Sequence, residues 1–286
     1  MLFSNRGNDQ VAALPWAHLR LPPFPQVALR VLQLVHEESV GLSRLVDLIS
    51  TDPAFASEVL TVANSALYAP RYPVGSILQA VTVLGAQTLH GMCITVGVRA
   101  YLGRTMNMPA MQRLWRHNLA CALIAEKLGS QSIGDKDTAF TSGILHDLGR
   151  MGLAVVRPAA YAELLDTYRG PSEGVLSAER GLFGKDHCET GKQLIREWNL
   201  PAQFAATIAG HHEPPHREGA WGLEELIKAS CRIADAAGFP AFQSCEPANF
   251  VSLLEDLPAR ERALLSTDAA QVGAELTEQI RAIEAA

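Results

Sequence analysis

The chain has 286 residues, of which 48% are hydrophobic and 19% are charged. It is therefore long enough for one large domain or two lobes, and its composition argues against a disordered protein. The net charge of −6 offers no basic field for a phosphate backbone, so we expect no nucleic-acid partner. Polar or titratable residues interrupt every long apolar run, and the start MLFSNRGNDQ is too polar for a secretory signal. We therefore expect no membrane span and a cytoplasmic location.

The cysteines are odd in number and form no Cys-x-x-Cys pair. Cysteine occurs at positions 93, 121, 188, 231 and 245. This usage is typical of a reduced protein in which the thiols are small buried side chains. Cys188 directly follows a histidine, so a thiolate ligand at that position is an alternative interpretation.

Helical periodicity dominates the first half of the chain, and no β-alternation is evident, which predicts an all-α fold. After an irregular lead-in, the prolines of residues 21–25 predict an extended entry. Asp52 and Pro53 are typical of an N-cap followed by the first helical residue. We expect a loop over residues 68–75 and a joint between two lobes at residues 105–109. Apolar spacing predicts helices over residues 27–35, 40–50, 77–84 and 89–102, and a helix that starts at residue 53 and ends near residues 64–66.

The second half has the same helical periodicity. Pro201 opens a further short helix that leads into His211. The C-terminal segment has amphipathic helices whose apolar stripe includes Val272 and Ile280, and this stripe either covers the core or binds a partner. The remaining predicted helices lie over residues 111–128, 139–153, 187–198 and 223–237.

Histidine and aspartate residues recur within these apolar helices. A buried imidazole or carboxylate is costly unless it is paired or coordinated, and both groups are ligands of transition metals. Asp235 lies on the apolar stripe of Ile227 and Cys231, although an ion pair with an arginine remains an alternative there. We interpret His18, His36, His90 and His216 as surface or ordinary core residues. The candidate ligands are His117, His146, Asp147, His187, His211, His212 and Asp235.

Several motifs resemble known families. The stretch SGILHDLGR, residues 142–150, is close to the central motif of the HD superfamily of metal-dependent phosphohydrolases. The full series of clusters resembles the HD-GYP branch, which hydrolyses cyclic dinucleotides. The first lobe is similar to the HDOD family, the HD-related output domain of bacterial signalling proteins. The matching segments cover roughly residues 18–240 and include residues 21–25, Asp52-Pro53, residues 63–66 with Tyr68, and residues 80–85.

The resemblance implies an all-α, two-lobed HDOD/HD-like fold with a C-terminal helical extension. Residues 1–17 would be a lead-in and residues 18–105 the N-terminal helical lobe. Residues 106–240 would form the HD-like metal-site lobe, and residues 241–286 the C-terminal extension.

The resemblance also implies a ligand set for two metal ions. His117, His146, Asp147 and Asp235 would hold one ion, and Asp147 would bridge to a second ion held by His187, His211 and His212. Such a pair could activate a bridging hydroxide for in-line attack on a phosphoester. Mixed imidazole and carboxylate ligands suit iron or manganese, with zinc as the alternative.

The sequence departs from the HD-GYP pattern at three places. Arg150 stands where HD-GYP proteins have a lysine near the scissile phosphate, and arginine can also clamp phosphate. Asp147 and Arg150 are therefore the candidate catalytic residues. The Gly-Tyr-Pro loop is replaced by residues 213–216, and Arg113 stands where some relatives have a carboxylate for a third metal.

Three functions follow from these observations. We favour a bacterial signal-transduction protein with a regulatory role and a dinuclear metal site. Its partner would be a signalling protein or a nucleotide-type ligand, bound through the first lobe or the C-terminal helices. The second is an active metal-dependent phosphohydrolase acting on a nucleotide or cyclic nucleotide. The third is a structural output domain with a vacant site.

Overall fold

The protein is described by a computed structural model that covers residues 21–34, 42–170, 174–216, 221–243 and 248–285. Within these ranges the chain forms α-helices and no β-strand, which confirms the all-α prediction. None of the described helices has both the length and the apolar character that a membrane crossing requires. The helices are α1 (Gln26–Leu34), α2 (Leu42–Ser50), α3 (Pro53–Ala63), α4 (Ile77–Leu84), α5 (Ala86–Leu102), α6 (Pro109–Ser132), α7 (Lys136–Leu145), α8 (Leu148–Val156), α9 (Pro158–Thr167), α10 (Gly174–Phe183), α11 (His187–Glu197), α12 (Gln203–Gly210), α13 (Leu223–Ala236), α14 (Phe250–Glu255), α15 (Ala259–Arg262) and α16 (Ala269–Glu284).

The first five helices follow the sequence prediction closely. Asp52 caps α3 as expected, because its Oδ1 accepts hydrogen bonds from the backbone N–H groups of Ala54 and Phe55 at 3.0 and 3.1 Å. A 3-10 helix, Gly103–Asn107, occupies the predicted joint. The predicted lead-in and the ends of two predicted helices, at Val35 and at residues 40–41, lie outside the described residues.

A large apolar core extends through the described chain from Phe24 to Ile283. An aromatic cluster joins its two halves: the rings of Phe24 and Trp198 are 4.9 Å apart, and those of Tyr101 and Trp198 are 5.4 Å apart. Because one core includes residues from both predicted lobes, the lobe boundaries stay a prediction.

The C-terminal helix α16 covers this core. Its apolar stripe is 2–4% exposed, which agrees with the interpretation that the stripe covers the core. Ion pairs of Arg116 with Glu284 and of Lys127 with Glu275 tie α16 to α6. The apolar face of α16 is therefore inside the protein and is not a surface for a partner. The stripe comprises Val272, Leu276, Ile280 and Ile283.

The single helix predicted over residues 139–153 is wrong. The chain forms α7 and α8 instead, with His146 and Asp147 at the junction between them. Asp147 has φ −100° and ψ 22°, outside the helical range, so the two side chains are freed from the wide divergence of helical neighbours. The helices α9 and α10 were not predicted at all.

Two glycines bring the helices close enough to form a shared site. A Cβ atom at Gly143 of α7 would lie 2.5 Å from Ala122 Cα of α6. A Cβ atom at Gly149 of α8 would lie 1.8 Å from the carbonyl oxygen of His187 at the start of α11. Any side chain at either position would force these helices apart.

Candidate metal centre

The predicted histidines converge from four parts of the fold. His117 lies on α6, His146 at the α7–α8 junction and His187 at the first residue of α11, while His211 and His212 follow the last residue of α12. Four of these imidazoles are at most 2% exposed, and His212 alone is half-buried. Such burial requires a partner for every ring nitrogen.

Three of the imidazoles turn their Nδ1 atoms away from the point at which the five histidines converge. His117 Nδ1 is 2.8 Å from the carbonyl oxygen of Phe239, His146 Nδ1 is 2.7 Å from that of Gly143, and His211 Nδ1 is 2.9 Å from that of Ile208. A carbonyl oxygen only accepts, so each Nδ1 carries a proton. The Nε2 lone pairs therefore face inward, which is how histidines coordinate metals through Nε2.

His187 is held by a carboxylate instead. Its Nδ1 is 2.6 Å from Glu179 Oε2, which also accepts the His187 backbone N–H at 2.8 Å. The other oxygen, Oε1, accepts from the Tyr161 hydroxyl at 2.5 Å. Burial raises the pKa of Glu179, but the charge and hydrogen bond of His187 outweigh it and lower the pKa to about 2.

Glu179 was missed by the sequence analysis because α10 was missed. A signal was present: Val175, Glu179 and Phe183 recur every fourth residue, so a carboxylate lies on an apolar helical stripe. All three are buried.

His187, His211 and His212 form the first of two ligand groups, named here the imidazole cluster. Their Nε2 atoms are close together, 2.8 Å between His187 and His212 and 3.3 Å between His187 and His211. Such lone pairs repel unless a positive charge, either a proton or a metal ion, lies between them. Cys188 belongs to the same group, in which one ligand atom from each of the four residues lies within 4.8 Å of the others, so a thiolate ligand there stays an alternative.

His117, Cys121, His146 and Cys231 form the second group, the thiol cluster. The Sγ atoms of Cys121 and Cys231 are each 3.6 Å from His117 Nε2. One ligand atom from each of the four residues lies within 4.8 Å of the others. His146 Nε2 is buried and has no hydrogen-bond partner in the described structure. This orphaned acceptor, beside two thiols and a second imidazole, fits a metal ion.

Asp147 lies between the two clusters. Its Oδ2 is 3.6 Å from His146 Nε2 and 3.9 Å from His117 Nε2, while its Oδ1 is 3.2 Å from His211 Nε2. Burial raises the pKa of Asp147, but the charges of Arg150, His146 and His211 outweigh it and hold the pKa well below its usual range. The carboxylate is therefore ionised and faces both clusters.

Asp235 contacts His117 but belongs to neither ligand cluster. Its Oδ1 is 3.2 Å from His117 Nδ1, the outward nitrogen, and its side chain is 35% exposed. Because this contact is with the outward nitrogen, Asp235 is placed to orient His117.

Arg150 lies inside the centre rather than at its rim. Its Nε donates to Asp147 Oδ1 at 2.7 Å, and its Nη2 donates to His212 Nε2 at 3.0 Å. The guanidinium stacks over the Phe242 ring at 4.9 Å and is 3% exposed. In this position it binds the candidate metal ligands themselves.

A sequence model of the HDOD domain matches residues 21–214, more than half of the chain. An uncharacterized protein of Treponema pallidum (strain Nichols) is 29% identical over 205 residues, which are 68% of this chain and 38% of that protein. The match therefore spans well under half of the relative's length.

Two crystal structures have the same fold. An HDOD domain protein of unknown function from Geobacter sulfurreducens is 25% identical, with a TM-score of 0.68, and the match covers 93% of this chain and 92% of that one. A protein from Marinobacter aquaeolei VT8, described as a signal transduction protein, is 23% identical, with a TM-score of 0.65. That match covers 93% of this chain and 59% of the other.

Proposed function

Because this chain belongs to the HDOD domain family, we propose that it is a regulatory signal-transduction protein built around a buried centre for two metal ions. One observation carries the proposal: buried imidazoles from separate helices turn their protonated nitrogens outward and their Nε2 atoms toward two clusters on either side of Asp147. Metal-binding histidines are held in this way.

The ligands divide between the two clusters. His117 and His146, with Oδ2 of Asp147, would hold one ion. The imidazole cluster, with Oδ1 of Asp147, would hold the other, and Asp235 would act by orienting His117. When bound, such ions supply Lewis acidity and fix the helices that carry their ligands.

Burial favours a regulatory role over hydrolysis. A catalytic metal site keeps one coordination position open, whereas a structural site is closed by protein ligands. Here the ligand side chains are almost fully buried, and the Arg150 guanidinium occupies the space between Asp147 and His212. A phosphoester would have to displace a buried ion pair to reach the centre.

An active phosphohydrolase is the second candidate, and one observation favours it. The two oxygens of Asp147 face different clusters, as a carboxylate that bridges two metal ions does. The half-buried His212 provides the side from which a substrate would approach. In this alternative Asp147 holds the ions, and Arg150 turns toward the phosphate.

A regulatory protein requires a partner, which we expect to be a signalling protein or a nucleotide-type ligand. The proposed N-terminal lobe, residues 18–105, is the candidate surface. Its described part exposes the apolar side chains of Tyr72, Leu78 and Val83, which are 71%, 60% and 59% exposed. The C-terminal stripe of α16 is buried and contributes no such surface.

The experiment that separates the two candidates is a turnover assay on protein whose metal content has been measured. The full chain is loaded with Fe²⁺, Mn²⁺ or Zn²⁺ and assayed against a model phosphodiester and a cyclic dinucleotide. Asp147→Ala is assayed in parallel, and Glu163→Gln, which changes an exposed carboxylate on α9, serves as the matched control. The regulatory proposal predicts no turnover above the Asp147→Ala background. Turnover that Asp147→Ala abolishes and Glu163→Gln preserves would establish the hydrolase.

A further inference from the structure

The thiol cluster contains two ligands that neither the HD-type pattern nor the sequence analysis assigns to a metal. We propose that Cys121 and Cys231 are thiolate ligands which, with His117 and His146, form a four-ligand N₂S₂ site for a zinc-type ion. This inference rests on the proposed function, since it assumes that the buried centre binds metal. It deepens that function by assigning a different chemical class of metal to one half of the centre, with the two thiolates in place of Asp147 as ligands of that ion.

The geometry of the cluster agrees with a tetrahedral site. Zinc binds thiolate sulfur at about 2.3 Å and imidazole nitrogen at about 2.0–2.1 Å, so a tetrahedral angle puts the sulfur and nitrogen about 3.6 Å apart. Both sulfur atoms are 3.6 Å from His117 Nε2. All four ligand atoms fall within 4.8 Å of one another, so a single ion could contact them all.

Hydrogen bonding alone does not satisfy the cluster. Each thiol could donate to His117 Nε2, but that nitrogen has one lone pair and cannot accept from both thiols with full strength. His146 Nε2 is left with no partner although His146 is fully buried. A metal ion engages both imidazole lone pairs and both sulfur atoms at once, which leaves no orphaned group in the cluster.

These ligands lie on three helices that pack together in the fold. His117 and Cys121 are one turn apart on α6, Cys231 lies on α13, and His146 ends α7. The helix α6 packs against both α7 and α13. A metal at this point would link three core helices through a closed set of protein ligands, as structural zinc sites do.

The ligand types indicate which metals each half takes. Thiolates favour zinc and similarly soft ions, whereas carboxylate and imidazole ligands also accept manganese and iron. The thiol cluster is therefore expected to reject manganese. The imidazole cluster has no such restriction apart from the alternative thiolate at Cys188. The two halves of the centre are expected to hold different metals.

Cobalt substitution tests the inference through a signal that does not depend on activity. The full chain, stripped of metal and kept reduced, is titrated with Co²⁺, and the near-ultraviolet thiolate-to-cobalt charge-transfer band is recorded. Cys121→Ser and Cys231→Ser are compared with Cys93→Ala, which removes a buried thiol outside both clusters, and with Cys188→Ser. We expect the band in wild type and in both Cys93→Ala and Cys188→Ser. Each cluster variant should lose about half of it, with at least about tenfold weaker cobalt binding.

The outcomes separate this inference from the proposed function. Cobalt binding without a charge-transfer band, or with a band that only Cys188→Ser removes, overturns the thiolate site and leaves a buried metal centre in place. No cobalt binding at all overturns both. If the cluster variants fail to fold, X-ray absorption at the zinc edge of the wild-type protein decides instead. Sulfur neighbours at about 2.3 Å support the inference, and nitrogen and oxygen neighbours alone contradict it.

Discussion

The thiol cluster and the imidazole cluster lie on either side of one carboxylate, Asp147, but differ in the groups that surround them. The imidazole cluster is supported by charged groups, because Glu179 holds His187 and Arg150 donates to His212. The thiol cluster is supported by backbone carbonyls, which accept from His117 and His146, and it contains two thiols. If both clusters bind metal as proposed, one fold builds a position with soft thiolate ligands and one without them on either side of Asp147.

The largest effect is expected from removing Asp147, the carboxylate between the two clusters. Asp147→Ala removes the carboxylate that hydrogen-bonds the buried Arg150 guanidinium and leaves only Glu179, at 3.8 Å, as a partner; breaking a buried pair typically costs about 3–5 kcal/mol. We expect a loss of this size in the free energy of unfolding by urea, together with loss of metal from the imidazole cluster. A second substitution, Arg150→Met, should restore part of the stability. A change under about 1 kcal/mol in the single variant would show that the pair is not buried as described.

The next effect concerns the contact that holds the imidazole cluster against Asp147. Gly149→Ala places a methyl group against the His187 carbonyl oxygen and should cost about 1–3 kcal/mol of unfolding free energy. Gly181→Ala is the matched control, because no atom lies within 4 Å of its Cβ position on α10. That control should gain about 0.5–1 kcal/mol from helix propensity. Equal effects in thermal unfolding would contradict the close packing of α8 on α11.

A smaller effect should distinguish the clusters directly. Glu179→Gln removes the negative charge that fixes His187 and should weaken metal binding at the imidazole cluster by about 10–100-fold. The cobalt–thiolate signal of the thiol cluster should not change. Chelator competition measures the first quantity, and Glu163→Gln should affect neither. Equal weakening of both clusters would show that they do not act as separate positions.

The smallest effect tests whether Arg150 opposes metal binding. Its guanidinium donates to His212 Nε2, the same lone pair that a metal would use, and its positive charge repels a divalent ion. Arg150→Met should therefore tighten binding at the imidazole cluster by about tenfold. Arg157→Met removes an arginine that stacks on Phe183 outside the centre and should leave the affinity unchanged. Weaker binding in Arg150→Met would mean that Arg150 stabilises the loaded site.

Much of the fold could be predicted because its signals are local. The N-cap at Asp52, the apolar spacing of α4 and the stripe of α16 all specify helices from neighbouring residues. The break at His146 and Asp147 could not be predicted in this way. Apolar residues continue on both sides of it, and the interruption depends on packing around Gly143 and Gly149.

The candidate site was likewise predictable only where the signal is local to one helix. The histidines and Asp147 stood out because polar groups are rare on apolar helical stripes. Cys121 and Cys231 did not stand out, because a cysteine on such a stripe is ordinary core composition. Their role depends on which helices pack together, and the sequence of one chain does not state that. The role of Asp235 as a metal ligand stays a prediction, because its Oδ1 contacts the outward nitrogen of His117 at 3.2 Å.

The most direct test of the central claim is the metal content per chain of anaerobically purified protein, measured beside the Asp147→Ala variant. We predict about two ions per chain in wild type, at least one of them zinc, and about one ion per chain in the variant, where the imidazole cluster loses its metal. Essentially no metal in the wild-type protein would contradict the account, and the convergence of these imidazoles would then need another explanation.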